Sequence, residues 1–196
     1  SIGRTCTHLL AEKCASITLV GILVDQLEAL QAEVAAKNSA PVAISTDVEA
    51  GIRDADIVVA VSSAVEAIIQ PSFIKPGAVV CDVARPRDVS EAVAKERNDV
   101  LIIEGGVIAV PGDVEFNFDF GFPPKTAYAC MSETMILALE GRYESYTLGK
   151  DVSVEQVREM TQLAAKHGFK LAGFRSFEKA VTDEQIAQIR KNAGRA

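Results

Sequence analysis

The chain has 196 residues, 48% apolar and 24% charged, enough for one sizeable buried core or one core with a small appendage. Its net charge of -7 and pI near 4.9 argue against a broad phosphate-binding face, so nucleic acid is not an expected partner. The apolar runs fall well short of the roughly 20 residues of a membrane helix and no segment reads as a signal peptide, so a cytoplasmic protein without a membrane span is expected.

The spacing of Ile2, Cys6, Leu9, Leu10 and Cys14 predicts a helix over residues 2–15, followed by a short buried strand, SITLVG, over 16–21. DQLEALQAEVAAK, residues 25–37, is the clearest amphipathic helix, with Leu27, Leu30 and Val34 as its stripe. A strand over 41–45 and a short helix over 47–52, capped by Thr46 or Asp47, come next. DIVVAVS at 56–62 reads as a buried strand. Residues 71–75 give a turn of helix that Pro76-Gly77 breaks before the strand AVVCDVA. A helix of EAVAKER type then leads to a strand at 100–103. Beyond the glycine pair Gly105-Gly106 lies a polar and aromatic loop, then Pro123-Pro124, then a helix carrying Cys130. Two further helices are expected at about 154–167 and 183–192, with Ser153 and Asp183 as caps and no further strong strand between them.

Helices and strands alternate with short connections, and the strands are Val/Ile runs without polar alternation. That pattern predicts an α/β fold, a Rossmann-like three-layer parallel sheet covered on both faces. Because a helix comes first, a strand is expected ahead of Ser1. Residues 1–142 are read as an NAD(P)-binding domain and 143–196 as a helical extension.

In dinucleotide-binding folds the first strand ends in a Gly-rich turn whose last glycine lies in the first turn of the next helix. Ser1, Ile2 and Gly3 fit the tail of such a turn, although an ordinary helix start would read the same way. The following strand ends at Gly21-Ile22-Leu23-Val24-Asp25, where the adenosine ribose should be read. Asp25 stands late for a 2′-hydroxyl partner and no Arg is present for a 2′-phosphate, so NAD and NADP both stay open. Ser62 and Ser63 follow a strand at the adenosine and pyrophosphate side. Asp82 and the pair Gly105 and Gly106 end the next two strands, close to where a nicotinamide would lie. Glycines there let backbone approach a flat ring, and a pair of plain turns is the alternative. Arg85 and Arg87 suit a phosphate or carboxylate as well as solvated loop positions.

The four cysteines, Cys6, Cys14, Cys81 and Cys130, show neither CxxC nor zinc spacing, so no metal site is expected and all are read as free thiols. A thiol near a helix start, with Lys125 close by, is placed to ionise, whereas a cysteine in AYACMSETMILALE also suits plain core. Glu133, three residues on, shares a helix face with Cys130 and could relay protons or repel the thiolate. His167, followed by Gly168 at a helix end, could donate a proton or simply cap. Phe116, Phe118, Phe120 and Phe122 alternate, which suggests a strand or flap with one apolar face.

The segments SIGRTCTHLLA, ITLVG with LEALQAEV, DADIVVAVSS, VVCDVARPRDVS, VLIIEGGVI, TAYACMSETMILALE and AAKHGF cover most of the chain. With them it resembles the nucleotide-binding and C-terminal part of the long-chain acyl-[acyl-carrier-protein] reductases and of the shikimate-dehydrogenase-like predicted amino-acid dehydrogenases. The resemblance implies an NAD(P)-dependent oxidoreductase in which Cys130 accepts an acyl group as a thioester, later reduced to the aldehyde. It also implies a small-molecule or carrier-bound acyl substrate. Two departures stand out: Ile22 and Leu23 occupy the place of the family's Arg after the second strand, and the family's preceding substrate domain is not in this sequence. An amino-acid or shikimate-type dehydrogenase without a covalent intermediate, and a non-catalytic nucleotide-binding module, are the rival readings. Homo-oligomerisation is left open.

Overall fold

A computed structural model describes residues 2–37, 40–118, 121–148, 152–177 and 179–194; Ser1 and Phe120 lie outside the described residues. Backbone packing divides the chain into an amino-terminal unit, Ile2–Ile103 with residues 182–194, and a central unit, Glu104–Val181.

The amino-terminal unit alternates α1 (Ile2–Ala11), β1 (Ile17–Val20), α2 (Val24–Ala35), β2 (Val42–Ser45), α3 (Val48–Ile52), β3 (Ile57–Ala60), β4 (Val79–Asp82), α4 (Glu91–Glu96) and β5 (Leu101–Glu104), close to the elements read from the sequence. Residues 71–73 form the expected helical turn, of 3-10 type, and Asp47 rather than Thr46 caps α3, its Oδ1 accepting from Ala50 N at 3.0 Å. The architecture is α/β and Rossmann-like, built on parallel strands. These fall into two sheets. β1 pairs with β2 in parallel, Ile17 opposite Val42 through Val20 opposite Ser45. β3 pairs with β4 in parallel, Ile57 opposite Val79, and β5 adds beyond β4.

Both sheets keep an open edge. Ile17 N donates to Pro41 O and Gly21 N to Ser45 O, so alternate residues of β1 face β2 while Thr18 and Val20 turn their N–H and C=O the other way. Val79 N donates to Asp56 O and Val83 N to Ala60 O, which leaves Ile57 and Val59 on the free side of β3. No strand among the described residues pairs with either side. The strands also alternate buried and half-buried positions, as in Val79–Asp82, where covering on both faces predicts uniform burial. Val34, Val80 and Val93 are fully buried, each contributing about 1.5–3 kcal/mol by leaving water.

The central unit holds β6 (Val107–Ala109), β7 (Thr126–Tyr128), α5 (Ala129–Leu139), α6 (Val154–His167), β8 (Lys170–Leu171), β9 (Arg175–Ser176) and β10 (Lys179–Ala180). The helix expected after Pro123-Pro124 begins only at Ala129, because Thr126–Tyr128 pairs antiparallel with β6 as β7. The strandless connection expected after His167 instead carries β8 on the other side of β6 and the β9–β10 pair. Val110, Ala127, Ile136 and Phe169 form the core, with Met131, Met135, Met160 and Leu163 packed on it. Of the alternating phenylalanines, Phe116 packs on this core, Phe118 is exposed, and none described lies in a strand.

Ser153 caps α6 as expected, in a reciprocal box with Gln156. For α7 (Asp183–Asn192) the cap is Thr182 rather than Asp183: its hydroxyl accepts from Gln185 N at 3.2 Å and Gln185 answers at Thr182 N. Asn192 Nδ2 donates to Asn98 O at 2.8 Å, tying α7 to the amino-terminal unit. No helix among the described residues is long and apolar enough to cross a membrane.

Candidate functional site

In the amino-terminal unit, residues expected around a dinucleotide gather at the carboxyl end of β3. Gly3 lies in the first turn of α1, and a Cβ there would sit 3.0 Å from Val61 Cγ2. Glycine thus lets the start of α1 approach the chain just past β3, next to Ser62 and Ser63. Ile2 is exposed and Ser63 is exposed.

Ser62 is held from within. Asp88, 1% exposed, accepts from Ser62 N at 2.9 Å and from Ser62 Oγ at 2.5 Å, and Ser62 Oγ in turn accepts from Ala64 N at 3.0 Å. The Asp88 carbonyl takes the N–H groups of Ile68 and Ile69, both at 2.9 Å. Asp82, also 1% exposed, accepts from Ala84 N at 3.1 Å and from Val89 N at 3.0 Å. Burial pushes its carboxyl up, against the pull of these backbone donors. Two buried carboxylates therefore fix the loops that leave β3 and β4. Asp82 shapes the strand end from inside the fold. Asp88 escapes the sequence reading because it looks like a loop acid; the signal that could have found it is a second Asp in DVARPRDV, set before an apolar Val89.

In the central unit the glycine pair and the thiol come together. Ala129 N donates to Gly106 O at 2.7 Å, and Val107 lies opposite Tyr128 in the β6–β7 ladder. Gly106 has φ of +88°, a conformation side chains resist, and nothing stands within 4 Å of where its Cβ would be. The Gly105-Gly106 turn thus runs beside the start of α5, where Cys130 is the second residue and exposed. No side chain caps α5 at Tyr128, so its first-turn amides are free of side-chain acceptors. The plain-core alternative for Cys130 is not what the structure has. It better describes Cys6 and Cys81, half-buried thiols that burial pushes up, away from the reactive thiolate.

Glu133 is half-buried one turn along and accepts from Thr147 Oγ1 at 2.5 Å. It lines a cleft of about 470 Å3 with Thr134, Leu137, Arg142, Tyr143 and Tyr146. Thr134 Oγ1 donates to Cys130 O at 3.1 Å, so the cleft starts along α5 from the thiol. Lys125 is engaged by Asp113 at 2.6 Å. Phe122 meets Tyr128 edge-on, with ring centroids 4.7 Å apart, and the Arg175 guanidinium lies over the Phe122 ring at 5.6 Å.

His167 is not brought to Cys130. Its Nε2 bonds Glu140 Oε1 at the far end of α5, ten residues beyond Cys130 and about 15 Å along the axis at 1.5 Å per residue. Lys166 joins the same carboxylate at 2.6 Å, so both side chains at the end of α6 meet α5. No group of three His, Cys, Asp or Glu among the described residues could hold a metal ion.

The sequence model of the shikimate / quinate 5-dehydrogenase family matches residues 2–104, more than half of the chain. An aminotransferase of Serratia sp. (strain ATCC 39006), PigE, is 32% identical over 126 residues, which is 63% of this chain and 15% of that protein. A long-chain acyl-[acyl-carrier-protein] reductase of Synechococcus elongatus (strain ATCC 33912 / PCC 7942 / FACHB-805) is 25% identical over 152 residues, 74% of this chain and 42% of that protein. The chain thus spans less than half the length of either relative. A continuous match over 74% of the chain includes Cys130 wherever it begins.

Proposed function

The chain belongs to the shikimate / quinate 5-dehydrogenase family, and we propose that it is the dinucleotide-binding part of an oxidoreductase that reduces an acyl thioester to an aldehyde through Cys130. The family match and the reductase relative support the coarser assignment, an oxidoreductase of dehydrogenase type. The observation that carries the finer one is the placement of Cys130, exposed in the first turn of α5 beside the Gly105-Gly106 turn.

The residues fit a dinucleotide, NAD or NADP. In the amino-terminal unit Gly3 admits close packing at the start of α1, Ser62 and Ser63 border it just past β3, and Asp82 fixes the neighbouring loop. When bound, the dinucleotide supplies the hydride.

The rest of the chemistry belongs to this chain. The Cys130 thiolate adds to the acyl carbon, a new C–S bond forms, and the old C–S bond breaks as the carrier thiolate leaves and takes up a proton. Free amides at the start of α5 stabilise negative charge on the sulfur and on the adjoining oxygen. With hydride supplied to the acyl carbon, the Cys130–acyl bond would break, the electron pair returning to the Cys130 sulfur as the aldehyde leaves. Glu133 is proposed to accept or return protons on that helix face. His167 is assigned no part, being about 15 Å along α5 from the thiol.

The test is incubation with a long-chain acyl thioester of coenzyme A or of acyl-carrier protein in the absence of reductant, followed by peptide mass spectrometry. An acyl mass on the Cys130 peptide, absent in Cys130→Ala, is expected. A second reading has its own support, since the family match ends at residue 104, short of Cys130. Retained dehydrogenase turnover in Cys130→Ala, with no acyl adduct in the unaltered protein, would establish that reading in place of the first.

A further inference from the structure

We infer that the protein takes the dinucleotide lacking a 2′-phosphate, NAD(H) in preference to NADP(H), because apolar and acidic residues occupy the end of β1. This rests on the dinucleotide reading above and narrows it. In such folds the strand after the first helix ends where the adenosine ribose is read. A carboxylate there suits the 2′-hydroxyl, and an Arg accommodates the 2′-phosphate.

Here β1 stops at Val20 and the chain passes through Gly21, Ile22, Leu23 and Val24 before Asp25, in the first turn of α2. Ile22 is 87% exposed, Leu23 54% and Val24 42%. Three apolar side chains in succession offer contact to a flat heterocycle but no hydrogen bond to a phosphate. The parallel partner strand brings a second acid: Gly21 N donates to Ser45 O at 3.1 Å, and Asp47 caps α3 two residues beyond Ser45. Asp25 and Asp47 thus stand at one end of the β1–β2 pair. Asp25 already complements the positive end of α2, which has no side-chain cap.

The cations on the adjoining helices are turned to other partners. Arg4 of α1 pairs with Glu33 at 2.7 Å, where His8 also lies at 3.2 Å, and Arg53, just past α3, pairs with Glu49 at 2.6 Å. A 2′-phosphate would bring about two negative charges to this end, and a 2′-hydroxyl none. Repulsion from the carboxylates at this end disfavours the 2′-phosphate, most strongly at low salt.

The experiment is a fluorescence titration of the purified protein with NADH and with NADPH, at low and at physiological salt. NADH is expected to bind more tightly, with the gap narrowing as salt rises. Ile22→Arg should tighten NADPH about tenfold and leave NADH nearly unchanged. Leu23→Arg serves where the first variant does not fold. NADPH bound as tightly as NADH, or more tightly, overturns the preference alone. Binding of neither overturns the dinucleotide reading and the preference with it.

Discussion

At Asp88 a single buried side chain fixes the path of the backbone after β3. Replacing it with Ala removes the acceptor of the Ser62 N–H and hydroxyl, and because Asp88 is buried while Ser62 is exposed to water, the loss amounts to about 1.5 kcal/mol. Urea denaturation should show that loss for Asp88→Ala and a smaller one for Asp88→Asn, which keeps one acceptor. Among single residues, the order of strand, glycine pair and thiol was visible in the sequence, and the structure places Cys130 exposed in the first turn of α5. It could not see that His167 faces Glu140, since the two are 27 positions apart and only the packing of α5 against α6 joins them. Nor could it separate a serine that faces a ligand from one held by a buried carboxylate, as at Ser62.

Among elements, the clasp between α5 and α6 has a defined pH response. Lys166, and then His167, hold the Glu140 carboxyl below its ordinary value of 4.5. A carboxyl lowered by folding lends stability that is fully present above that ordinary value and is lost as pH falls through the lowered one. Thermal melts of wild type and Glu140→Gln should therefore differ most near neutrality and converge as pH drops below 4.5. The elements that were legible, β1 to β5 and α1 to α4, are those with apolar runs or a helical stripe, such as Leu27, Leu30 and Val34. Strands β8, β9 and β10 were not, because each is two residues long and Lys170, Leu171, Lys179 and Ala180 are exposed, leaving no apolar pattern to read. The start of α5 was misplaced for a related reason. Thr126–Tyr128 reads as the beginning of a helix until its pairing with β6 is known.

For the molecule as a whole, β1 and β3 each present a row of backbone groups, at Thr18 and Val20 and at Ile57 and Val59, that no described strand takes up. These rows offer backbone partners to a further extended segment, and amide hydrogen exchange at the four positions should slow wherever one is supplied. What looks like an edge in each sheet is thus also a seat.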